Sequence, residues 1–253
     1  MRPRRGRKRS KLRLITKRKW SNTYLLFLVA AVSLAVFSRW TISRGVFDIR
    51  EVRIVGTRYS DPLEILEVVS PELGPDIFQD YREVSTLLQR MPLIKSVEVD
   101  RMPPDRIVIS VDEREPLAVL GGDLAQPVDE EGWLVPVSLS DFDIDLPIIE
   151  PSGELTVNAV GRVESESILI ALDFLKKLRD TNSSLLKDIS VLSVGGNDTV
   201  RFTTVSHGFD VHISHDASID EFYLLRDVMK DLEGKDREFC TIDMRYKDQV
   251  VVY

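Results

Sequence analysis

Apolar residues form one long unbroken run near the start of this chain and only short patterned groups after it. The run extends from Tyr24 to Phe37, with Trp20 and Trp40 on either side. A helix between the two tryptophans is about 30 Å long at ~1.5 Å per residue, which matches the hydrocarbon core of a bilayer. Indole rings also favour the two membrane interfaces. The pattern therefore predicts one transmembrane helix over residues 21–40, with the lipid bilayer as its partner.

The charges on either side of this run predict its orientation. Eleven of the 34 basic residues lie between Arg2 and Lys19 without any acidic residue, so the remaining 23 basic residues face all 41 acidic ones. Basic residues beside a span stay in the cytoplasm, so residues 1–20 are predicted to form a cytoplasmic tail and the bulk of the chain to lie outside the membrane. An acidic exported part repels nucleic acid, which we exclude as a partner.

Two other interpretations of the apolar run compete with a span. The small residues around Ser33-Leu34-Ala35 offer a cleavage site, so the run is compatible with a signal peptide. A core helix of a soluble protein is the second alternative. The long basic region and the continuation of the run beyond Ala35 favour the span over a signal peptide, and the charged flanks disfavour a core helix.

After the span, the pattern predicts a small β-α-α-β-β unit within residues 45–116. Glu51–Ile54 alternates polar and apolar residues as a strand does. Asp61 before Pro62 is typical of a helix start, and apolar residues from Val84 to Met91 recur at the spacing of a second helix. Strands over 97–99 and 107–111 alternate with period two and are joined by residues 101–105 as a hairpin. Both helices are expected on one face of the sheet.

Residues 117–253 are predicted to form a second domain, an α+β layer with an antiparallel sheet. Two helices are expected there, Glu164–Leu178 and Ile219–Leu232, because apolar residues recur at helical spacing. The acidic turn from Asp129 to Glu131 is expected to face water. The expected strands are residues 117–120, 126–128, 133–137, 189–194, 200–204, 209–213, 241–245 and 249–253.

The candidate chemistry is sparse. His207, His212 and His215 lie within ten positions, but His207 and His215 fall at opposite ends of one expected strand, so we predict no metal site. No nucleophile elbow, phosphate-binding loop or His-Glu-x-x-His motif is present, and we predict neither a cofactor nor catalytic activity. Cys240 is the single cysteine, which excludes an intrachain disulfide; beside Phe239 it is expected to be a buried, inert thiol.

Four stretches are similar to one protein family. Phe47–Gly56, Pro92–Arg101 and Pro104–Pro116 lie in the first domain, and the third ends in Val-Asp-Glu-Arg-Glu-Pro. Thr241–Tyr246 is similar to that family's isoleucine-aspartate-leucine-arginine-tyrosine motif, with Met244 in the leucine position. The chain thus resembles the FtsQ/DivIB cell-division proteins, which combine a basic tail, one span, a POTRA domain and a second β-rich domain. The resemblance places it in the bacterial cytoplasmic (inner) membrane at the division septum.

What the resemblance implies is a non-catalytic divisome scaffold that links early and late division proteins. The C-terminal strand would bind the FtsB–FtsL coiled-coil pair by strand addition and so control septal peptidoglycan synthesis, and the POTRA domain would contact other divisome membrane proteins. The predicted partner-binding residues are a cation for a partner carboxylate, an aromatic anchor and an edge strand: Arg245, Tyr246, Gln249, Val250, Val251 and Val252. The turn from Lys247 to Gln249 lacks the glycine that the family often has.

Three alternatives stay open. In the first, the last strand is an inner strand of the sheet and Arg245 lies on the surface. In the second, the chain is a POTRA protein of outer-membrane secretion or assembly. In the third, it is a membrane-anchored extracytoplasmic enzyme with a site that the sequence does not reveal.

Overall fold

The computed structural model describes residues 20–43, 45–122, 125–138, 145–181, 184–232, 241–246 and 249–253. Our predictions for the basic tail from Arg2 to Lys19 and for Cys240 concern residues outside these ranges, as does most of the turn from Lys247 to Gln249.

The first element is a long apolar helix, α1 (Trp20–Ser43). Its 24 residues span about 36 Å at ~1.5 Å per residue. Among the helices that the structure describes, α1 is the one long and apolar enough to cross a membrane, over Thr23–Trp40, and none of that stretch is buried by the rest of the protein. A helix that is apolar on all sides and unburied is suited to lipid.

A three-stranded unit follows α1 and has the predicted β-α-α-β-β order. Asp61 caps the first helix, since its Oδ1 accepts the Leu63 N–H at 2.8 Å. The sheet order is β1-β3-β2, with β1 parallel to β3 and β2 antiparallel to it. Residues of both helices and all three strands share one hydrophobic core. The elements are β1 (Glu51–Val55), α2 (Pro62–Val69), α3 (Arg82–Leu88), β2 (Ile94–Met102) and β3 (Arg106–Glu113).

An eight-stranded unit makes up the rest of the described chain, in the order β11-β10-β9-β8-β7-β6-β4-β5. Its strands are β4 (Pro116–Leu120), β5 (Pro127–Asp129), β6 (Ile148–Glu150), β7 (Ile189–Val194), β8 (Thr199–Thr204), β9 (Asp210–Ser214), β10 (Thr241–Asp243) and β11 (Val251–Val252). Its helices are α4 (Glu166–Asp180), α5 (Leu185–Asp188) and α6 (Ile219–Leu232). In the core, the Phe174 ring of α4 lies between Phe202 of β8 and Phe222 of α6.

The α+β class is confirmed, but the sheet is mixed where the sequence predicted it to be antiparallel. The pairs β4–β6, β6–β7 and β9–β10 are parallel. Helix α4 lies between β6 and β7 along the chain, and α6 lies between β9 and β10. A connection that includes a helix returns the chain to the starting end of the sheet, so the next strand runs parallel. Alternation of apolar residues carries no information about strand direction.

Charged side chains join the two units, which only two residues separate along the chain. Arg114 is buried, donates from Nη1 to Asp129 Oδ2 at 2.6 Å and lies over the Trp133 ring at 4.6 Å. Asp129 is 2% exposed and its Oδ1 also accepts the backbone N–H of Trp133 at 2.8 Å. The prediction that this acidic turn faces water is therefore wrong for Asp129, because the buried Arg114 in the connection between the two units pairs with it.

Glu130 completes this joint from the neighbouring position. Its carboxylate accepts hydrogen bonds from Arg179 of α4 and from Lys95 Nζ of β2, the latter at 2.9 Å. These two cations lower the pKa of Glu130 from 4.5 to about 2. One carboxylate thus connects β2 of the three-stranded unit to α4 of the eight-stranded unit.

This pKa shift predicts an acid-sensitive joint. Because the pKa is lower in the folded state, the stabilisation by Glu130 is complete above pH 4.5 and is lost as the pH falls through about 2. We expect Glu130→Gln to lower the urea midpoint at pH 7 and to flatten its fall between pH 5 and pH 2. The measurement is urea unfolding of the unmodified chain and of the Glu130→Gln variant across that pH range. The control is Glu67→Gln, because Glu67 is an exposed residue on α2. An unchanged pH slope in Glu130→Gln would contradict the prediction.

Candidate partner interface at the C-terminal sheet edge

Strand β11 forms one edge of the eight-stranded sheet and pairs antiparallel with β10. Thr241 and Tyr253 exchange both backbone hydrogen bonds, at 2.8 and 3.1 Å. In an antiparallel pair such bonded positions alternate with positions whose N–H and C=O point away from the partner strand. The Val252 N–H and C=O therefore point out of the sheet edge, where another strand can pair with them.

The side chains of this terminal segment alternate as well. Gln249, Val251 and Tyr253 are exposed, whereas Val250 and Val252 are half-buried and pack against the core. The predicted residues of the segment are thus brought together on one edge. One of its faces is anchored to the core and the other is open.

Arg245 lies at the corner before this strand and has a partner within its own chain. Its Nε donates to Asp243 Oδ1 at 2.9 Å and its Nη2 to Asp243 Oδ2 at 2.5 Å. Asp243 is buried, and the guanidinium lowers the pKa of its carboxyl. Two N–H donors of Arg245 are therefore bonded to the Asp243 carboxylate of β10. The role of Arg245 as a cation for a partner carboxylate stays a prediction.

Tyr246 lies beside a groove between this corner and α6. The Tyr246 side chain is 56% exposed. The groove has a volume of about 380 Å³ and is lined by Ser218, Asp220, Glu221, Leu224, Met244, Tyr246, Gln249 and Val250. Sequence reasoning missed the α6 side of the groove. The one sequence feature that pointed to the α6 side was Leu224, an apolar residue that does not belong to the helical repeat of Phe222, Leu225 and Met229.

The three histidines lie within or beside β9, the third strand from this edge. His212 Nε2 lies 3.2 Å from Asp210 Oδ2, while His207 stacks on Phe209 with ring centroids 5.4 Å apart. Within the part of the chain that the structure describes, no group of three or more His, Cys, Asp and Glu side chains is placed to hold a metal ion.

Comparison with known proteins decides the family. A model described as "POTRA domain, FtsQ-type" matches residues 47–114, and one described as "Cell division protein FtsQ/DivIB, C-terminal" matches residues 118–245. The chain belongs to the FtsQ/DivIB family. The predicted POTRA domain is confirmed, and it is the three-stranded unit.

Relatives named "Cell division protein FtsQ" match much of this FtsQ-family chain. The protein of Syntrophotalea carbinolica is 25% identical over 95% of this chain and 86% of its own length. That of Koribacter versatilis is 25% identical over 79% of this chain and 58% of its own length. That of Geotalea daltonii is 20% identical over 89% of this chain and 83% of its own length. This FtsQ-family chain is accordingly a cell division protein.

Proposed function

We propose that this FtsQ-family chain is a non-catalytic scaffold of the bacterial divisome. It is a single-pass protein of the cytoplasmic (inner) membrane, with its basic tail in the cytoplasm and its bulk outside, and it acts at the division septum. We divide it into the tail (1–20), the span (21–40), the POTRA domain (45–116) and the C-terminal domain (117–253).

The C-terminal domain binds an FtsB–FtsL-like coiled-coil pair, and the POTRA domain binds other divisome membrane proteins. Septal peptidoglycan synthesis is controlled through the bound pair. The single observation that carries this proposal is the open edge of β11, where the backbone groups of Val252 point away from the sheet. Main-chain hydrogen bonds to an added strand supply affinity, and the neighbouring side-chain surfaces supply specificity.

The groove beside Tyr246 suits a partner segment that continues past the added strand. Leu224 and Val250 give it apolar surface, and Asp220 and Glu221 give it negative charge. A partner strand followed by an apolar residue and a basic residue complements both features.

Tyr246→Ala tests the proposal. An exposed aromatic residue at the rim of the groove is expected to be a hot spot, so its loss costs about 2 kcal/mol, or roughly 30-fold in Kd. The measurement is titration of the purified full-length chain with its FtsB–FtsL pair, together with septal localisation in cells. The matched control is Tyr223→Ala, because Tyr223 is also an exposed tyrosine but does not line the groove. If the Tyr246 and Tyr223 variants bind the pair equally well and divide normally, the site assignment is wrong.

A further inference from the structure

Three loops meet at the end of the three-stranded unit where β1 begins. Glu51 pairs with Arg106, so β1 and β3 start side by side, and the Arg50 N–H donates to the Asp105 carbonyl at 2.8 Å. Met102, the last residue of β2, pairs with the same Arg106. The tip of the β2–β3 hairpin therefore lies beside the segment that leads from α1 into the sheet.

The loop between α2 and α3 is fixed to the same end. The Ile49 N–H donates to the Pro75 carbonyl and the Ile77 N–H to the Phe47 carbonyl, both at 3.0 Å. From the hairpin side, Arg101 Nε donates to the Ile77 carbonyl at 3.0 Å. The Phe47 and Phe78 rings pack edge to face with centroids 5.1 Å apart. These bonds make the three loops one surface.

Each of the three loops exposes an apolar side chain on this surface. Val46 is 38% exposed, Phe78 61% and Met102 48%, and the hairpin tip adds the exposed Pro103 and Pro104. Formal charges on these loops are of both signs, with Arg50 and Arg101 against Asp48, Asp76 and Asp105. A surface with mixed charge and a protruding phenylalanine is suited to a lipid interface through apolar contact rather than through attraction to anionic head groups.

The chain connection places this surface close to the end of α1. Ser43 ends the helix, and the Asp48 N–H closes a turn on the Gly45 carbonyl at 3.2 Å. Gly45 has a φ of +62°, and a side chain there would meet the Asp48 carboxylate, so this turn is tight. The Cα atoms of Ser43 and Gly45 are at most about 7 Å apart. Across the turn, the Cα atoms of Gly45 and Asp48 are less than about 7 Å apart. The loop surface thus begins within about 14 Å of Ser43.

We propose that this loop surface, formed by Val46, Phe78 and Met102, rests in the outer interface of the bilayer that α1 crosses. The proposal depends on the proposed span. With Trp40 at the edge of the hydrocarbon core, Ser43 lies about 4.5 Å further out, inside a head-group layer roughly 5–8 Å thick. Three apolar side chains on three connected loops then hold the POTRA domain in one orientation on the membrane. The lipid that they meet is zwitterionic.

Spin labelling of the full-length chain tests this docking. With Cys240 replaced by serine, single cysteines are introduced by Phe78→Cys or Met102→Cys, labelled with a nitroxide and placed in phosphatidylcholine nanodiscs. The quantity measured is relaxation by lipid-soluble oxygen relative to relaxation by a water-soluble nickel complex. The matched control is Leu63→Cys, an apolar position that is 68% exposed. It lies at the opposite end of the domain, three residues after Ser60, whose N–H donates to the carboxylate of Glu113 at the end of β3.

We expect the oxygen-to-nickel ratio to be several-fold higher at positions 78 and 102 than at position 63. A ratio at either 78 or 102 equal to that at 63 overturns the docking. A fourth label, Val29→Cys in the middle of α1, separates this failure from failure of the span. A lipid signal at 29 with water signals at 78 and 102 rejects only the docking, whereas a water signal at 29 rejects the span itself.

Discussion

Val252→Pro is expected to abolish strand pairing with the partner while the chain stays folded. Proline has no N–H, and at this position the N–H points out of the sheet edge rather than toward β10. A partner carbonyl is then left without its donor and the ring obstructs the approaching strand. The cost is about 2 kcal/mol, or roughly 30-fold in Kd, in titration with the FtsB–FtsL pair.

Two further variants isolate the backbone contribution. Val252→Ala keeps the N–H and is expected to bind within a few-fold of the unmodified chain. Val251→Pro removes an N–H that faces β10, because Val251 pairs with Asp243 at a bonded position, so it is expected to detach β11 itself and to lower the unfolding midpoint. If Val252→Pro binds as tightly as Val252→Ala, strand addition at this edge is refuted.

Asp129→Ala is expected to destabilise the protein by about 3–5 kcal/mol, because the substitution removes the buried counter-charge of Arg114 and leaves only the more exposed Glu131 carboxylate beside it. It also leaves the backbone N–H groups of Glu131 and Trp133, which Asp129 Oδ1 accepts at 2.9 and 2.8 Å, without their acceptor. The measurement is urea unfolding followed by tryptophan fluorescence, since Trp133 lies under the Arg114 guanidinium.

Glu131→Ala is the matched control for this prediction. Glu131 also accepts from Arg114, at 3.0 Å, but its side chain is 42% exposed. An exposed partner of this kind contributes less than about 1 kcal/mol. Equal destabilisation by the Asp129 and Glu131 substitutions would show that the burial of the pair is not what matters.

The local elements could be predicted because their signals are local. The Asp61-Pro62 cap, the period-two strands around Val97 and Ile109, and the helix Ile219–Leu232 each depend on residues a few positions apart. The order of the three-stranded unit followed from them. Strand β11 lies at an edge of the sheet, as the family resemblance implied.

What the sequence did not reveal depends on residues that are distant along the chain or on strand direction. The burial of Asp129 requires Arg114, which lies 15 positions away in the connection between the units, and an acidic turn gives no sign of such a partner. The parallel pairing of β6, a strand of only three residues, depends on where α4 returns the chain. The groove requires Leu224 of α6 to lie beside Tyr246, and these positions are 22 apart in the sequence.

The ion pairs between the two units determine how far from the membrane the β11 edge binds a partner. Only two residues separate β3 from β4, and Arg114, Asp129, Lys95 and Glu130 bind the two units across that short connection. In the proposed membrane arrangement, the β11 edge is therefore held at a fixed distance from the lipid surface and does not move on a flexible linker. A partner anchored in the same bilayer must present its strand at that distance. The length of the partner segment between its membrane anchor and its pairing strand therefore contributes to recognition.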